Sequence, residues 1–285
     1  MKPVAIWIEA SRPKTLICSV APILMGTALA WKANTFSFLT FLITLLTGVA
    51  IQILTNWAND YFDFIKGSDT TERKGPRRVT QAGLVTLAEM RRALIFITLA
   101  TALLSATLMW IGGPFIGLTC LLMILLAFAY TTGPLPLAYL GLGELFVLIF
   151  FGPIAMAGTY YLQTHQLSLP ILCLGLAPAF LATAIISLNN LRDIDEDRQS
   201  QKKTLAVRLG KTFGRCEYTF FLIGGCALPC IYGYYLPLIT LLPAIVPLKA
   251  VWTLHDFRKL NTPFAQTGKL MVLFTLLLSW SILAT

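Results

Sequence analysis

Charge is scarce in this chain. Lys, Arg, Asp and Glu together supply 12% of its 285 residues, against 56% hydrophobic residues and a mean hydropathy of +0.74. That balance lies far outside the soluble globular range and leaves an integral membrane protein. Histidine is nearly missing: His165 and His255 have no Cys, Asp or His partner at zinc-ligand spacing. The six cysteines, Cys18, Cys120, Cys173, Cys216, Cys226 and Cys230, fall in or beside apolar runs without a C-x-x-C pair, and read as small core hydrophobes. No small-residue cleavage pattern follows the first apolar run, which is expected to be a retained helix. Two phosphate or metal motifs are begun and not completed. Asp193, Asp195 and Asp197 imitate an EF-hand loop, but Arg198 stands at the required glycine and Thr204 at the closing glutamate. Gly210, Lys211 and Thr212 imitate the end of a P-loop whose first glycine is replaced by Leu205.

What is present in abundance is long apolar sequence. A bilayer core about 30 Å thick asks for about 20 apolar residues per helix. Nine runs approach that length, near 15–31, 37–60, 93–111, 114–131, 143–162, 169–190, 217–235, 237–253 and 267–284. The expected fold is therefore all-α and polytopic, a single membrane domain spanning residues 1–285. With the N-terminus inside, the cytoplasmic side receives the N-terminal segment, 61–92, 132–142, 191–216 and 249–269. Of the 22 Lys and Arg, only Lys32 then falls outside. This asymmetry sets the orientation. It also accounts for the net charge of +9 together with attraction to anionic lipid heads, so nucleic acid need not be invoked.

Nearly all the acidic residues lie at or near the same edge, and two clusters of them close apolar runs: NDYFD at 59–63 and NNLRDIDED at 189–197. Carboxylates at a helix C-terminus are repelled by the macrodipole and by one another, so several together call for a neutralising cation. Asn56, Asp60 and Asp63 are spaced four and three apart, and Asn189, Asp193 and Asp197 four and four, which predicts one lined helix face in each case. Each cluster precedes a basic, glycine-ended segment, KGPRRVTQAG at 74–83 and KKTLAVRLG at 202–210. The pattern suggests two weakly repeated four-helix halves and a last helix. Hard cations such as magnesium take oxygen ligands from a few carboxylates, water and substrate phosphate. Two opposed carboxylate faces can hold two such ions. A diphosphate bridged by them and by Arg and Lys becomes a good leaving group, and an apolar groove can take the chain attached to it.

The stretches NDYFDFIKGSDTTERKGPRRVTQAG and NNLRDIDEDRQSQKKTLAVRLG resemble the two signature loops of the UbiA superfamily of intramembrane aromatic prenyltransferases. The likeness runs through ASRPKTL at 10–16 and AYTTGPLPLAYLGLGELFV at 129–147, and is greatest to the branch that prenylates 1,4-dihydroxy-2-naphthoate for menaquinone. The resemblance implies a nine-helix bundle around a central cavity, open sideways to lipid and capped on the cytoplasmic side, in the bacterial inner membrane. It implies magnesium held by Asp60, Asp63, Asp193 and Asp197 with help from Asn59, Asn189 or Asn190. Lys66, Arg77, Arg78, Lys203, Arg192 and Arg198 would neutralise the diphosphate of a polyprenyl diphosphate. Arg12, Lys14 and Asn56 would meet the naphthoate, and Tyr130 would join the acidic residues in the catalytic set. One departure from the superfamily is Gly67 where a third aspartate often stands, with Asp69 two residues on. The Tyr130 segment also lacks the basic residues found there in some members, in keeping with the naphthoate branch.

Other acceptors, such as 4-hydroxybenzoate, homogentisate or a chlorin, would use the same diphosphate machinery. A membrane transporter is the alternative of a different class. It would place its acidic residues near the bilayer midplane on broken helices, whereas here they sit at the edge.

Overall fold

A computed structural model describes residues 3–67, 77–134 and 136–285. Lys2, Asp69, Lys74 and Leu135 lie outside the described residues. Every regular element among those described is helical. In chain order they are α1 (Val4–Ser11), α2 (Pro13–Lys32), α3 (Phe38–Ile65), α4 (Leu87–Gly112), α5 (Pro114–Ala129), α6 (Leu137–Leu140), α7 (Gly143–Ile149), α8 (Ala155–Thr164), α9 (Leu169–Leu174), α10 (Leu176–Arg192), α11 (Ile194–Gln199), α12 (Leu205–Ala227), α13 (Leu241–Thr253) and α14 (Asn261–Ala284).

The termini follow from local chemistry. Ser37 accepts from the Thr40 amide at the start of α3, and Thr86 with Glu89 forms a capping box on α4. Proline occupies the first position of α2 and α5, where its missing N–H costs nothing. Within the apolar helices, the hydroxyls of Thr44, Thr101, Thr183 and Thr275 are spent on carbonyls one turn back, which satisfies each of these donors inside the membrane.

Seven segments are long and apolar enough to cross a membrane: Pro13–Lys32, Phe38–Ile65, Leu87–Gly112, Gly143–Thr164, Leu169–Arg192, Leu236–Thr253 and Phe257–Ala284. Two of the nine expected runs differ from this set. The run at 114–131 is apolar but gives a shorter helix, Pro114–Ala129. The run at 217–235 starts inside α12, whose first turns are basic. That helix kinks at Gly210, where φ is 88° and only glycine is at ease, and it ends at Ala227 in a 3-10 turn over Leu228–Tyr232.

Large apolar side chains point outward: Trp110 is 91% exposed, and Phe96, Leu103 and Phe115 are also exposed, as lipid-facing positions are. The interior is built on small residues instead. Helix α10 lies at the centre, with Ala177, Ala179, Ala182 and Ala184 buried against α7, α12 and α14. A Cβ at Gly26 of α2 would come within 2.5 Å of the Met156 carbonyl oxygen, so glycine there is what lets α2 and α8 touch. A second apolar cluster joins α1, α3, α4 and α5 through Ala10, Leu54, Ala58, Val79, Met90 and Ala127.

Candidate active site

A cavity of about 520 Å³ opens where the C-terminal ends of α3 and α10 meet the starts of α2 and α7. Its lining is of two kinds. Phe146, Val147, Phe151, Ala182, Ile185, Ile186 and Phe264 give it an apolar lining and Arg12, Lys14, Asn56, Asn59, Asp63, Arg77, Arg78, Asn189, Asn190, Asp193 and Asp197 a polar one, and α10 supplies both in turn, apolar up to Ile186 and polar from Asn189. The two acidic clusters, far apart in sequence, therefore face one space.

On α3 the face predicted from spacing is present, but its members are used differently. Asn56 Nδ2 donates to the Ser11 carbonyl at 2.9 Å and ties α1 to α3, while Asn59 accepts from the Thr131 hydroxyl. Asp60 is buried away from the cavity wall. Its two oxygens accept from the backbone amides of Val79 at 3.0 Å and Thr80 at 3.3 Å. Asp63 faces the cavity, and its Oδ2 accepts from Arg78 Nη2 at 2.9 Å and from Lys202 Nζ at 3.2 Å. Its Oδ1 accepts from the Tyr139 hydroxyl at 3.3 Å. Asp60 thus fixes the strand of chain that delivers Arg78 to Asp63. The carboxylate at the negative end of α3 is stabilised by two cations.

The second cluster does not lie on one continuous helix. The chain leaves helical geometry at Asp193 (φ −93°, ψ 9°), and Asp197 sits on α11 after the break. The Asp197 amide donates to the Asp193 carbonyl at 2.8 Å and the Lys202 amide to the Asp197 carbonyl at 2.8 Å, so the turn itself carries Asn189, Asp193 and Asp197 to the same wall. Four-residue spacing was right about the face and wrong about the helix. Arg192 is fully buried and grips Asp193 with two bonds, from Nε at 2.6 Å and Nη2 at 2.7 Å. It also donates to Asn189 at 2.6 Å and Asn261 at 3.0 Å, and its guanidinium lies 5.6 Å from the Phe264 ring centroid.

The expected cations divide accordingly. Arg12, Lys14, Arg77 and Arg78 are on the cavity wall; Lys66, Lys203, Arg192 and Arg198 are not. Arg192 is saturated by its partners. Arg198 follows inward-facing Asp197 by one helical step and is exposed. Lys66 donates to the Thr131 carbonyl at 2.5 Å, with its ammonium 4.6 Å from the centre of the Tyr139 ring. Lys203 is exposed, its backbone amide bonded to the Tyr139 carbonyl at 3.0 Å. The lysine of this pair that reaches the site is Lys202, because neighbours in non-helical chain project to opposite sides.

Tyr130, just past the end of α5, lies on the wall as expected. Burial pushes its hydroxyl above the ordinary value, with Glu144, Asp197 and Asp63 adding to the push and Arg12 opposing it, so it stays protonated. The residues not foreseen are Lys202, Gln52, Glu144 and Asn261. A signal existed for Gln52 and Glu144, since each is a polar residue alone in an apolar run.

No three acidic, histidine or cysteine side chains among the described residues lie close enough to hold a metal ion by themselves. The donors on the polar wall are carboxylate and amide oxygens, which suit a hard cation that completes its shell with water and phosphate oxygens. The residues present therefore fit magnesium shared with a phosphorylated ligand.

A helical membrane fold whose cavity passes from acids and cations into an apolar lining defines an intramembrane protein built for an anionic head on an apolar chain. The chain belongs to the UbiA prenyltransferase family, whose model matches residues 19–282. It is 41% identical over 235 residues to 1,4-dihydroxy-2-naphthoate octaprenyltransferase of Escherichia coli (strain K12), covering 80% of this chain and 76% of that one. It is 42% identical over 226 residues to the Haemophilus influenzae protein of the same description, covering 76% and 73%. Among solved structures, a UbiA homolog from Archaeoglobus fulgidus bound to GPP and Mg2+ superposes with a TM-score of 0.67 at 16% identity, over 98% of this chain and all of that one.

Proposed function

We propose that this protein transfers a polyprenyl group from polyprenyl diphosphate to 1,4-dihydroxy-2-naphthoate, releasing diphosphate and carbon dioxide and giving demethylmenaquinol. One observation carries the reading: two acidic clusters and their cations line a single cavity that continues into an apolar lining. The shared description of the bacterial relatives supports the acceptor. The Lys and Arg bias supports an inner-membrane enzyme whose site faces the cytoplasm.

Asp63, Asp193 and Asp197, with Asn59, Asn189 and Asn190, are the oxygens around the diphosphate, grouped as one ion site for each repeated half. Magnesium, when bound there, neutralises the diphosphate and makes it a better leaving group. Arg77, Arg78 and Lys202 supply fixed positive charge as the allylic carbon–oxygen bond breaks. Asp60 acts from behind by holding the 79–80 backbone, and Arg192 by holding Asp193 in place. The prenyl chain lies along Phe146, Phe151, Ile185 and Ile186, which exclude water from the allylic cation and offer it aromatic faces. Arg12 and Lys14 take the naphthoate carboxylate. The ring supplies the electron pair of the new carbon–carbon bond, the carboxylate leaves as carbon dioxide, and the aromatic diol is restored. Most of the rate enhancement is positioning and preorganised charge.

The test is mass spectrometry of lipids from membranes containing the chain, supplied with polyprenyl diphosphate, magnesium, and 1,4-dihydroxy-2-naphthoate and 4-hydroxybenzoate in competition. Demethylmenaquinone is the expected product. Prenylated hydroxybenzoate would overturn the acceptor and keep the chemistry.

A further inference from the structure

Glu144 is a carboxylate inside an apolar segment, in the second position of α7, and only 4% of its surface is exposed. Its Oε1 accepts from Asn190 Nδ2 at 2.6 Å, whereas Oε2 has no hydrogen-bond partner. A buried acceptor left unpaired is costly and calls for an explanation, and an ionisable residue within a spanning segment is a functional candidate by default. Glu144 also lines the cavity, at the seam where its polar lining passes into its apolar lining. On α10 the passage is from Asn190, the partner of Glu144, to Ile186 one turn before it, and on α7 it is from Glu144 to Phe146 and Val147. The Tyr130 hydroxyl lies against the neighbouring Gly143.

An aromatic acceptor has to occupy that seam, with its ring against the apolar wall and beside the carbon that carries the diphosphate. In 1,4-dihydroxy-2-naphthoate the 1-hydroxyl sits next to the carboxylate and bonds it internally. The 4-hydroxyl is the donor left for the protein. We propose that Glu144 Oε2 accepts the hydrogen bond of the acceptor's 4-hydroxyl, an assignment that rests on the naphthoate reading above. The bond orients the ring against the allylic carbon. The proton stays on the hydroxyl oxygen.

Glu144→Gln is the informative variant. It keeps shape and volume, and with its carbonyl oxygen retained by Asn190 it turns an amide N–H towards the cavity, so that the 4-hydroxyl loses its carboxylate acceptor and is left only a neutral donor to turn towards. With the purified full-length protein, three constants are read for wild type and variant: KM for the naphthoate, KM for polyprenyl diphosphate, and Ki of 1-hydroxy-2-naphthoate, which lacks the 4-hydroxyl. The expected result is a naphthoate KM raised about 10-fold, with the other two constants within about 2-fold of wild type. An unchanged naphthoate KM overturns the assignment, and so does an equal rise in Ki, which would mark a general distortion of the pocket. Wild-type protein that forms no product from the naphthoate refutes the reading underneath and the 4-hydroxyl assignment with it.

Discussion

Lys202 Nζ and Asp63 Oδ2 lie 3.2 Å apart although 139 residues separate them in the chain. Arg78 reaches the same oxygen from the other loop at 2.9 Å. Asp63 is therefore the point at which the loop after α3 and the loop after α11 are fastened together. A carboxylate held by two cations from different loops sets charge where a diphosphate head would lie.

Lys202 and Lys203 are adjacent and chemically identical, yet only the first faces the site. Lys202→Met is expected to lower kcat/KM for polyprenyl diphosphate by about 100-fold, the scale of removing one preorganised charge. Lys203→Met should stay within about 2-fold of wild type, because an exposed surface cation contributes little. Steady-state kinetics on membranes with matched protein content separates the two.

Asp60 and Asp63 should fail in different ways. Asp60→Ala strips the acceptors from two buried amides, Val79 and Thr80, which costs about 1–3 kcal/mol. It should lower the melting temperature in detergent and abolish turnover by releasing the segment that carries Arg78. Asp63→Asn keeps the volume and an acceptor oxygen but removes the charge that Arg78 and Lys202 share, so turnover should be lost with a smaller fall in melting temperature than in Asp60→Ala. Thermal unfolding measured beside activity distinguishes a loop anchor from a group that meets the diphosphate.

Arg192 is the buried clamp of the second cluster. Arg192→Ala leaves Asp193 without the cation that grips it, and a loss of about 3–5 kcal/mol is expected. Arg192→Lys should not restore stability, since one ammonium cannot reproduce the fork that spans both Asp193 oxygens, Asn189 and Asn261. Arg198→Ala, at an exposed position, should unfold as wild type does.

Composition and charge bias made the membrane class legible at once, and the two acidic clusters pointed to one end of the bundle before any coordinates. What spacing could not supply was the side of the chain on which each residue emerges. The choice between Lys202 and Lys203 depends on where α11 stops and the loop begins. Asp60 carries the same motif as Asp63 but is turned to backbone amides, a partnership that only tertiary packing creates. The break at Asp193 was hidden because Asn189, Asp193 and Asp197 keep helical spacing across a turn that is not helical. By its place in the loop Arg192 reads as one more cation for the diphosphate, although Asn261 and Phe264 of the last helix engage it instead.

The central claim is that the two acidic clusters form one magnesium-dependent diphosphate site. The most direct test is binding of a non-hydrolysable prenyl diphosphate analogue to the purified protein, with magnesium and with EDTA, in wild type, Asp63→Asn and Asp193→Asn. The account predicts tight binding that EDTA removes, and a loss of at least about 10-fold in either single variant, because each removes a ligand of one shared site. Binding that survives EDTA, or that is unchanged when either aspartate is neutralised, would contradict it.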